Sequence, residues 1–413
     1  MLIEVRIGPG KRKLTESILR VNRLSGTSSD KIHRVPHISL YGRFAADNKQ
    51  VERVKDILLS VGKRYSYLPY LIDGFHWING KHGKVIYFNI VASPEFKRFR
   101  QELAQRLLGI APRTQSFDQD EDFLFHATLA YKLDSREFEQ IWSQVSSDSA
   151  LASKFVTHTA DSEHHQMKYF YLPLNALRAT FLNDQSKIIC EYDFLQQRLL
   201  TRGESTSVNE WGRTLKLFRC SKGIDGGNPG PVQGSPYVIS DLHLDHTNII
   251  DYCARPFNPS DVGEMNELLV DNWNKTVGDN DVYFLGDLSA GKAARPADYW
   301  LGKLSGNNHF IRGCHDGDLQ KASDYEVLKH GRYNFLLVHD PERLPEAWNG
   351  WIIHGHKHNN DMKNFPFING DRRTINVCPE VTNYRPVSLD YLTSLKLAAI
   401  KRMDTIDSAP LMR

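Results

Sequence analysis

The 413-residue chain has no uninterrupted apolar run approaching the ~18 to 20 residues that a membrane-spanning helix requires, which excludes an integral helical membrane protein. Its first residues, MLIEVRIGPGKRK, place acidic and basic side chains where a secretory signal needs an unbroken apolar core, so a cytoplasmic location is expected. Cysteine is scarce: Cys190, Cys220, Cys253, Cys314 and Cys378 are odd in number and never spaced CxxC, which excludes a disulfide framework and agrees with a reducing compartment. Net charge is scarce too, at +3, too little for a general nucleic-acid binder acting by charge alone. That charge is unevenly divided, with 28 lysines and arginines against 22 acidic residues in residues 1–200 and 24 against 27 in the remainder. A mildly basic first half suits an anionic substrate, and a solvated surface accounts for it equally well.

What is present is length enough for two domains and one sharp change of composition. In KGIDGGNPGPVQGSP, residues 222–236, glycine and proline displace every apolar periodicity. This break predicts a first domain at 1–200, a linker at 201–235 that includes a short helix at NEWGRTLKLFR, a second domain at 236–400 and a mobile tail at 401–413.

In the second domain the short apolar strands of YVISDLHLDH, VYFLGDL, HFIRG, YNFLLVHD and WIIHGHKH each run into a polar loop, the pattern of a sheet whose strand ends carry a site. In order, those loops offer Asp241 and His243; Asp287 after Gly286; Cys314, His315 and Asp316 after Gly313; His339; and His356 and His358 after Gly355. Carboxylates and imidazoles suit borderline divalent ions, an aspartate can bridge two of them, and glycines let short side chains from separate strand ends converge. Two such ions serve in-line displacement at phosphorus, so phosphoester hydrolysis is expected. His246, Asn248 and Arg255 are candidate substrate contacts at the mouth, with a capping or structural role the alternative for the last two. His354, inside its strand, is expected to point away.

The ordered set DxH, GD, GxHD, H and GHxH resembles the calcineurin-like metallophosphoesterase family over about 236–385. The resemblance implies an α/β sandwich holding two divalent ions (Mn2+, Fe2+ or Zn2+). It implies Asp241, His243, Asp287 and His358 on one ion and Asp287, His339 and His356 on the other, with His315, oriented by Asp316, as the acid or phosphate contact. The family's third motif usually reads GNHD, its asparagine oxygen ligating the second metal, and this chain has Cys314 there. Either the sulfur ligates, favouring zinc, or it is a non-ligating substitution that leaves one strong site.

The first domain alternates strand patterns (MLIEVRI, VPHISLYG, YLIDGFHWI, KVIYFNIV, FLFHATLAY, KYFYLPL and KIICEYDF) with helical ones (QVERVKDILLSVGKRY and PEFKRFRQELAQRLLG), a mixed α+β composition. His37-Ile38-Ser39 and His126-Ala127-Thr128 are the only HxS/T triplets among 17 histidines, and both sit in strand patterns, where a period of two turns His and Ser/Thr to one face. Two facing imidazoles can take a proton from water and return one to a leaving oxygen, while the hydroxyls hold the phosphate, with no metal required. Either histidine alone reads as an ordinary sheet residue; the matched pair carries the functional reading. Tyr41 and Tyr131 are candidate stacking residues for a base or ribose, with strand packing as the alternative.

This pattern resembles the two-histidine (2H) phosphoesterase superfamily, whose members include RNA 2',3'-cyclic phosphodiesterases once named 2'-5' RNA ligases. It implies a bilobal α+β fold over about 1–200 with His37, Ser39, His126 and Thr128 as the catalytic set and no cofactor. Together the two halves predict a bifunctional phosphoesterase acting on RNA with 2',3'-cyclic phosphate or phosphate ends, or on nucleotides, with no membrane partner. The alternatives are the same chemistry on an ADP-ribose cyclic phosphate or a 2'-5' oligonucleotide, and a metal-dependent nuclease whose first domain only binds RNA.

Overall fold

The computed structural model describes residues 1–7, 36–110, 123–147, 171–226, 230–291, 293–317, 322–344 and 348–413. It is a mixed α/β structure with three sheets, and the chain divides into two compact units, Met1–Phe218 and Arg219–Arg413. No helix among the described residues is long and apolar enough to cross a membrane.

The first unit is built on β1 (Leu2–Arg6), β2 (His37–Tyr41), β3 (Leu68–Gly80), β4 (Gly83–Ala92), β5 (His126–Leu133), β6 (Tyr171–Ala176), β7 (Arg178–Leu182), β8 (Ile188–Asp193) and β9 (Arg198–Thr201). These form one continuous sheet in the order β6-β3-β4-β5-β2-β1-β7-β8-β9. Between its two blocks the sheet narrows to the pairing of β2 with β5 through Ile38 and Ala127. Helix α1 (Asn48–Gly62) starts at a capping box between Asp47 and Gln50 and buries Val54, Leu58 and Val61, the i, i+4, i+7 spacing of one face. Helix α2 (Pro94–Leu108) starts at the Ser93 cap with proline in its first turn and buries Phe96, Phe99, Leu103 and Leu107. Helix α3 (Ser135–Ser147) follows β5.

Residues 201–218, expected as linker, belong to this unit. Leu215 and Phe218 of helix α4 (Val208–Ser221) pack on Leu177. The buried Arg178 guanidinium donates to Asp193 (3.0 Å), Glu191 (3.3 Å) and Thr214 (2.7 Å), tying α4 to β7 and β8.

In the second unit, β10 (Tyr237–Ile239), β11 (Asp281–Phe284) and β12 (Asn307–Phe310) run parallel, and β18 (Val387–Ser388) closes their sheet antiparallel to β10. The other sheet contains β13 (Tyr325–His330), β14 (Tyr333–Val338), β15 (Trp351–His354), β16 (Ile368–Asn369), β17 (Thr374–Asn376), β19 (Ile400–Met403) and β20 (Leu411–Met412), with β14, β15 and β17 parallel. After a short helix α5 (Thr247–Tyr252) comes α6 (Val262–Val277), which buries Met265, Leu269, Trp273 and Val277 every four residues against Ile239, Val282 and Phe284. The tail expected at 401–413 is part of the fold: β19 pairs with β16 and with β20, and Ile400 and Met403 are buried. Lys401 and Arg402 lie between these two apolar residues, so the stretch looks polar in the sequence.

The parallel strands matter for function. Their carboxyl ends lie on one side, and the two sheets meet there, where Ser240 N donates to Val377 O at 3.2 Å and a ring nitrogen of His339 lies 2.7 Å from Leu285 O.

Candidate functional site

In the first unit, Ile38, Leu40, Ala127 and Leu129 are buried, while His37, Ser39, His126 and Thr128 between them are half-exposed. The antiparallel pairing of Ile38 with Ala127 sets His37 level with Thr128 and Ser39 level with His126, so all four polar residues share one face. Nδ1 of His126 lies 2.9 Å from Leu124 O, so in the neutral ring the proton sits there and Nε2 is left as the base. Burial, reinforced by the neighbouring His37, lowers the His126 pKa below the ordinary imidazole value despite the Leu124 carbonyl.

Sequence reasoning missed three neighbours of this face. Glu4, 3% exposed and paired in register with Ser39, accepts from Arg6 Nε at 2.9 Å and presents its other oxygen 3.7 Å from His37 Nε2. Tyr87, opposite Thr128, sets its ring edge-on to His126 at 5.4 Å, and His76 stacks on Tyr87 at 6.0 Å. The alternation of β1, β3 and β4 would have placed them on this face, but their register against β2 and β5 is not readable from one sequence. Tyr41, by contrast, is fully buried and edge-on to Phe44, so it does not offer a stacking surface; a register irregularity in β1 beside it turns the strand inward. Tyr131 is half-exposed, beyond irregularities in the β4–β5 pairing, with the Lys132 ammonium 5.6 Å from its ring.

In the second unit every expected ligand lies just after a parallel strand: Asp241 and His243 after β10, Asp287 after β11, Cys314 after β12, His339 after β14, and His356 and His358 after β15. Glycine makes the convergence possible. A Cβ on Gly313 would fall 2.3 Å from both the amide nitrogen and a carboxylate oxygen of Asp287, and one on Gly355 would fall 2.2 Å from Asp241 Oδ2. Asp241, His243, Asp287, His356 and His358 all adopt positive φ, between 47° and 65°, a region uncommon for residues with a side chain and concentrated at functional sites.

His243 Nε2 lies 3.6 Å from Asp241 Oδ1 and 3.5 Å from Asp287 Oδ2; His339 Nε2 lies 3.5 Å from Asp287 Oδ2; His358 Nε2 lies 3.4 Å from Asp241 Oδ1. These are long for hydrogen bonds. They come close to the edge of ~3.3 Å that separates two ligand atoms around a tetrahedral ion bound at ~2.0 to 2.1 Å. Asp241 Oδ1, both ring nitrogens of His243 and Nε2 of His339 are buried with no hydrogen-bond partner among the described residues. Burial holds His243 and His356 down at about 4, so both imidazoles are neutral, the form that ligates. Burial raises the Asp287 pKa and the facing Asp241 raises it further. The donor set therefore fits a divalent metal, and the groups that could hold one include Asp241, Asp287 and His339, and Cys314, His339 and His356.

The structure revises several expected roles. Asp316 does not orient the His315 ring: its carboxylate accepts from the amides of Asp287 (2.8 Å), Leu288 (2.9 Å) and Gly313 (2.8 Å), tying the β11 and β12 loops together. His315 itself is exposed, with its ring 5.5 Å from that of His243, beside a cavity of about 300 Å³ lined by Ser289, Ala290, Gly291 and Ala294. Arg255 is fully buried rather than at the mouth; it donates to Leu242 O, Asp241 O and Glu380 (2.7 Å). Asn248 is half-exposed near the start of α5, and the His246 ring sits 5.4 Å from His243, within reach of a ligand there. His354 is fully buried, edge-on to Phe365.

Two functional neighbours were missed. Glu380 faces His358 Nδ1 at 3.2 Å, and Arg255 and His358 hold its carboxyl down at about 2 against the burial that would raise it. A carboxylate behind a ligating histidine fixes its tautomer and orientation. Cys378 Sγ lies 3.4 Å from Asp241 Oδ2. Both follow β17, a short strand whose residues Thr374, Ile375 and Asn376 form no apolar run in the sequence.

An uncharacterized protein of Methanocaldococcus jannaschii is 49% identical over 162 residues, which cover 38% of this chain and 89% of that protein. A crystal structure of a protein of unknown function from Aquifex aeolicus, 22% identical, covers 40% of this chain and 100% of its own, with a TM-score of 0.30, too low to bear on the fold. Residues 17–160, which contain both histidine triplets, match the 2'-5' RNA ligase superfamily, and the chain thus carries a domain of that superfamily.

Proposed function

We propose that the protein is a two-site phosphoesterase that opens 2',3'-cyclic phosphate ends of RNA or nucleotides in its first unit and processes the resulting phosphomonoester in its second. The observation that carries this reading is the pairing of Ile38 with Ala127, which gathers two imidazoles and two hydroxyls on one face. His126, neutral and with Nε2 free, takes a proton from the attacking water. As the new P–O bond forms, the bond from phosphorus to one ribose oxygen breaks, and His37 gives that oxygen its proton. Glu4 steadies the His37 ring, and Ser39 and Thr128 donate to the non-bridging oxygens.

In the second unit Asp241, His243, Asp287 and His358 would hold one divalent ion and Asp287, His339 and His356 a second. Such ions supply Lewis acidity and screen the charge of a phosphoryl group. The chain's own residues do the rest: Glu380 and Arg255 fix His358, Asp316 fixes the loop of Asp287, and His315 at the mouth donates to the phosphoryl or leaving oxygen.

The test is an RNA oligonucleotide with a defined 2',3'-cyclic end, its terminal group identified after reaction. Ring opening should persist in EDTA and vanish in His37→Ala and His126→Ala. Ring opening retained in full by both variants, with loss only in Asp287→Asn, would replace this reading with that of an RNA-binding first unit.

A further inference from the structure

We propose that Cys314, His339 and His356 form a nitrogen–nitrogen–sulfur site that selects a thiophilic divalent ion, zinc over manganese. This rests on reading the second unit as a metal-dependent phosphoesterase, and it concerns which ion that unit takes.

The three side chains come from loops after three different parallel strands, yet their ligand atoms all lie within 4.8 Å of one another. Cys314 Sγ is 3.8 Å from His356 Nδ1. Around a tetrahedral zinc with Zn–S ~2.3 Å and Zn–N ~2.0 to 2.1 Å, a sulfur and a nitrogen ligand stand about 3.6 Å apart, so a few tenths of an ångström separate the pair from bonding distance to a shared ion. The third ligand is prepared independently. His339 is 4% exposed, its Nδ1 is engaged by Leu285 O at 2.7 Å, and its Nε2 is buried without a hydrogen-bond partner. That backbone contact fixes the tautomer in which Nε2 carries the lone pair.

Cys314 and Cys378 occupy different places. Cys378 is buried beside Asp241 Oδ2, the oxygen that also accepts from His356 N at 2.9 Å. It therefore supports the aspartate, whereas Cys314 is exposed on the side of His339 and His356. A thiolate is a soft ligand, and manganese prefers oxygen donors, so the sulfur biases the site toward zinc. When the ion binds, the thiol proton leaves to solvent and the S–metal bond replaces the S–H bond.

The experiment uses the full chain, stripped of metal and reloaded with Co2+, and reads the sulfur-to-cobalt charge-transfer absorption. Wild type should show the band and Cys314→Asn should lose it while still binding cobalt; the preference for Zn2+ over Mn2+ should fall ~10-fold or more in that variant. Because Cys314 is exposed, the variant should keep the wild-type melting profile, which checks its fold. Cobalt bound without the band, or a band undiminished in Cys314→Asn, overturns the assignment and leaves the metal-dependent reading standing. No binding of Co2+, Zn2+ or Mn2+ overturns both.

Discussion

At the scale of single residues, the four polar side chains around Ile38 and Ala127 carry the clearest expectations. His126→Ala should lower cyclic-phosphate opening by ~10²- to 10⁴-fold, the usual contribution of a general base, measured as initial rate on a 2',3'-cyclic nucleotide. The pH dependence follows from the sign of one shift. Burial and His37 lower the pKa of His126, so the ring stays unprotonated below its ordinary value of 6.5, and the acid limb of the rate should fall below that pH. The same shift makes the unfolded chain bind more protons than the folded one between the folded pKa and 6.5, so the contribution of His126 to stability is lost as pH falls through that window. The triplets were legible because period two is a local property of a strand. Glu4 and His76 were not, because what makes them neighbours is register between strands far apart in sequence.

At the scale of elements, the site of the second unit is a property of loops rather than of the strands that present them. Gly313→Ala would drive a Cβ into the Asp287 backbone and separate two loops; loss of metal uptake with retained secondary structure, measured by elemental analysis and circular dichroism, is expected. Arg255→Ala leaves the Glu380 carboxylate buried without its cation, and breaking a buried pair in this way costs about 3 to 5 kcal/mol, to be read as a lower denaturant midpoint for the second unit. The five strand-to-loop motifs could be read in order because each follows an apolar run. The sixth loop, with Cys378 and Glu380, escaped notice because β17, Thr374–Asn376, carries one apolar residue between two polar ones and shows no apolar run. The strand β7 (Arg178–Leu182) is buried on both faces, its polar residues Arg178 and Thr180 included, held by Asp193 and Glu191, so its short polar–apolar alternation gives no sign of its central place.

At the scale of the whole molecule, each unit holds its own set of candidate residues, and the proposed function assigns acid–base work to the first and metal ligation to the second. EDTA should therefore abolish processing of the phosphomonoester while leaving ring opening intact, and Asp287→Asn should do the same without a chelator, with products separated by chromatography. The division into two was visible in the Gly/Pro break, but its position was not. Helix α4 carries polar residues on one side and Leu215 and Phe218 on the other, and only packing assigns those two to the first unit. The second unit holds backbone strain at its candidate site. Five of its ligand candidates hold left-handed backbone angles, each at a cost of roughly 1 kcal/mol that the surrounding fold sustains. A cradle bent into shape beforehand has little left to organise when a cation arrives, so capture should proceed at a rate set by shedding of the cation's own hydration shell, and stopped-flow uptake should show one fast phase with no slow rearrangement behind it.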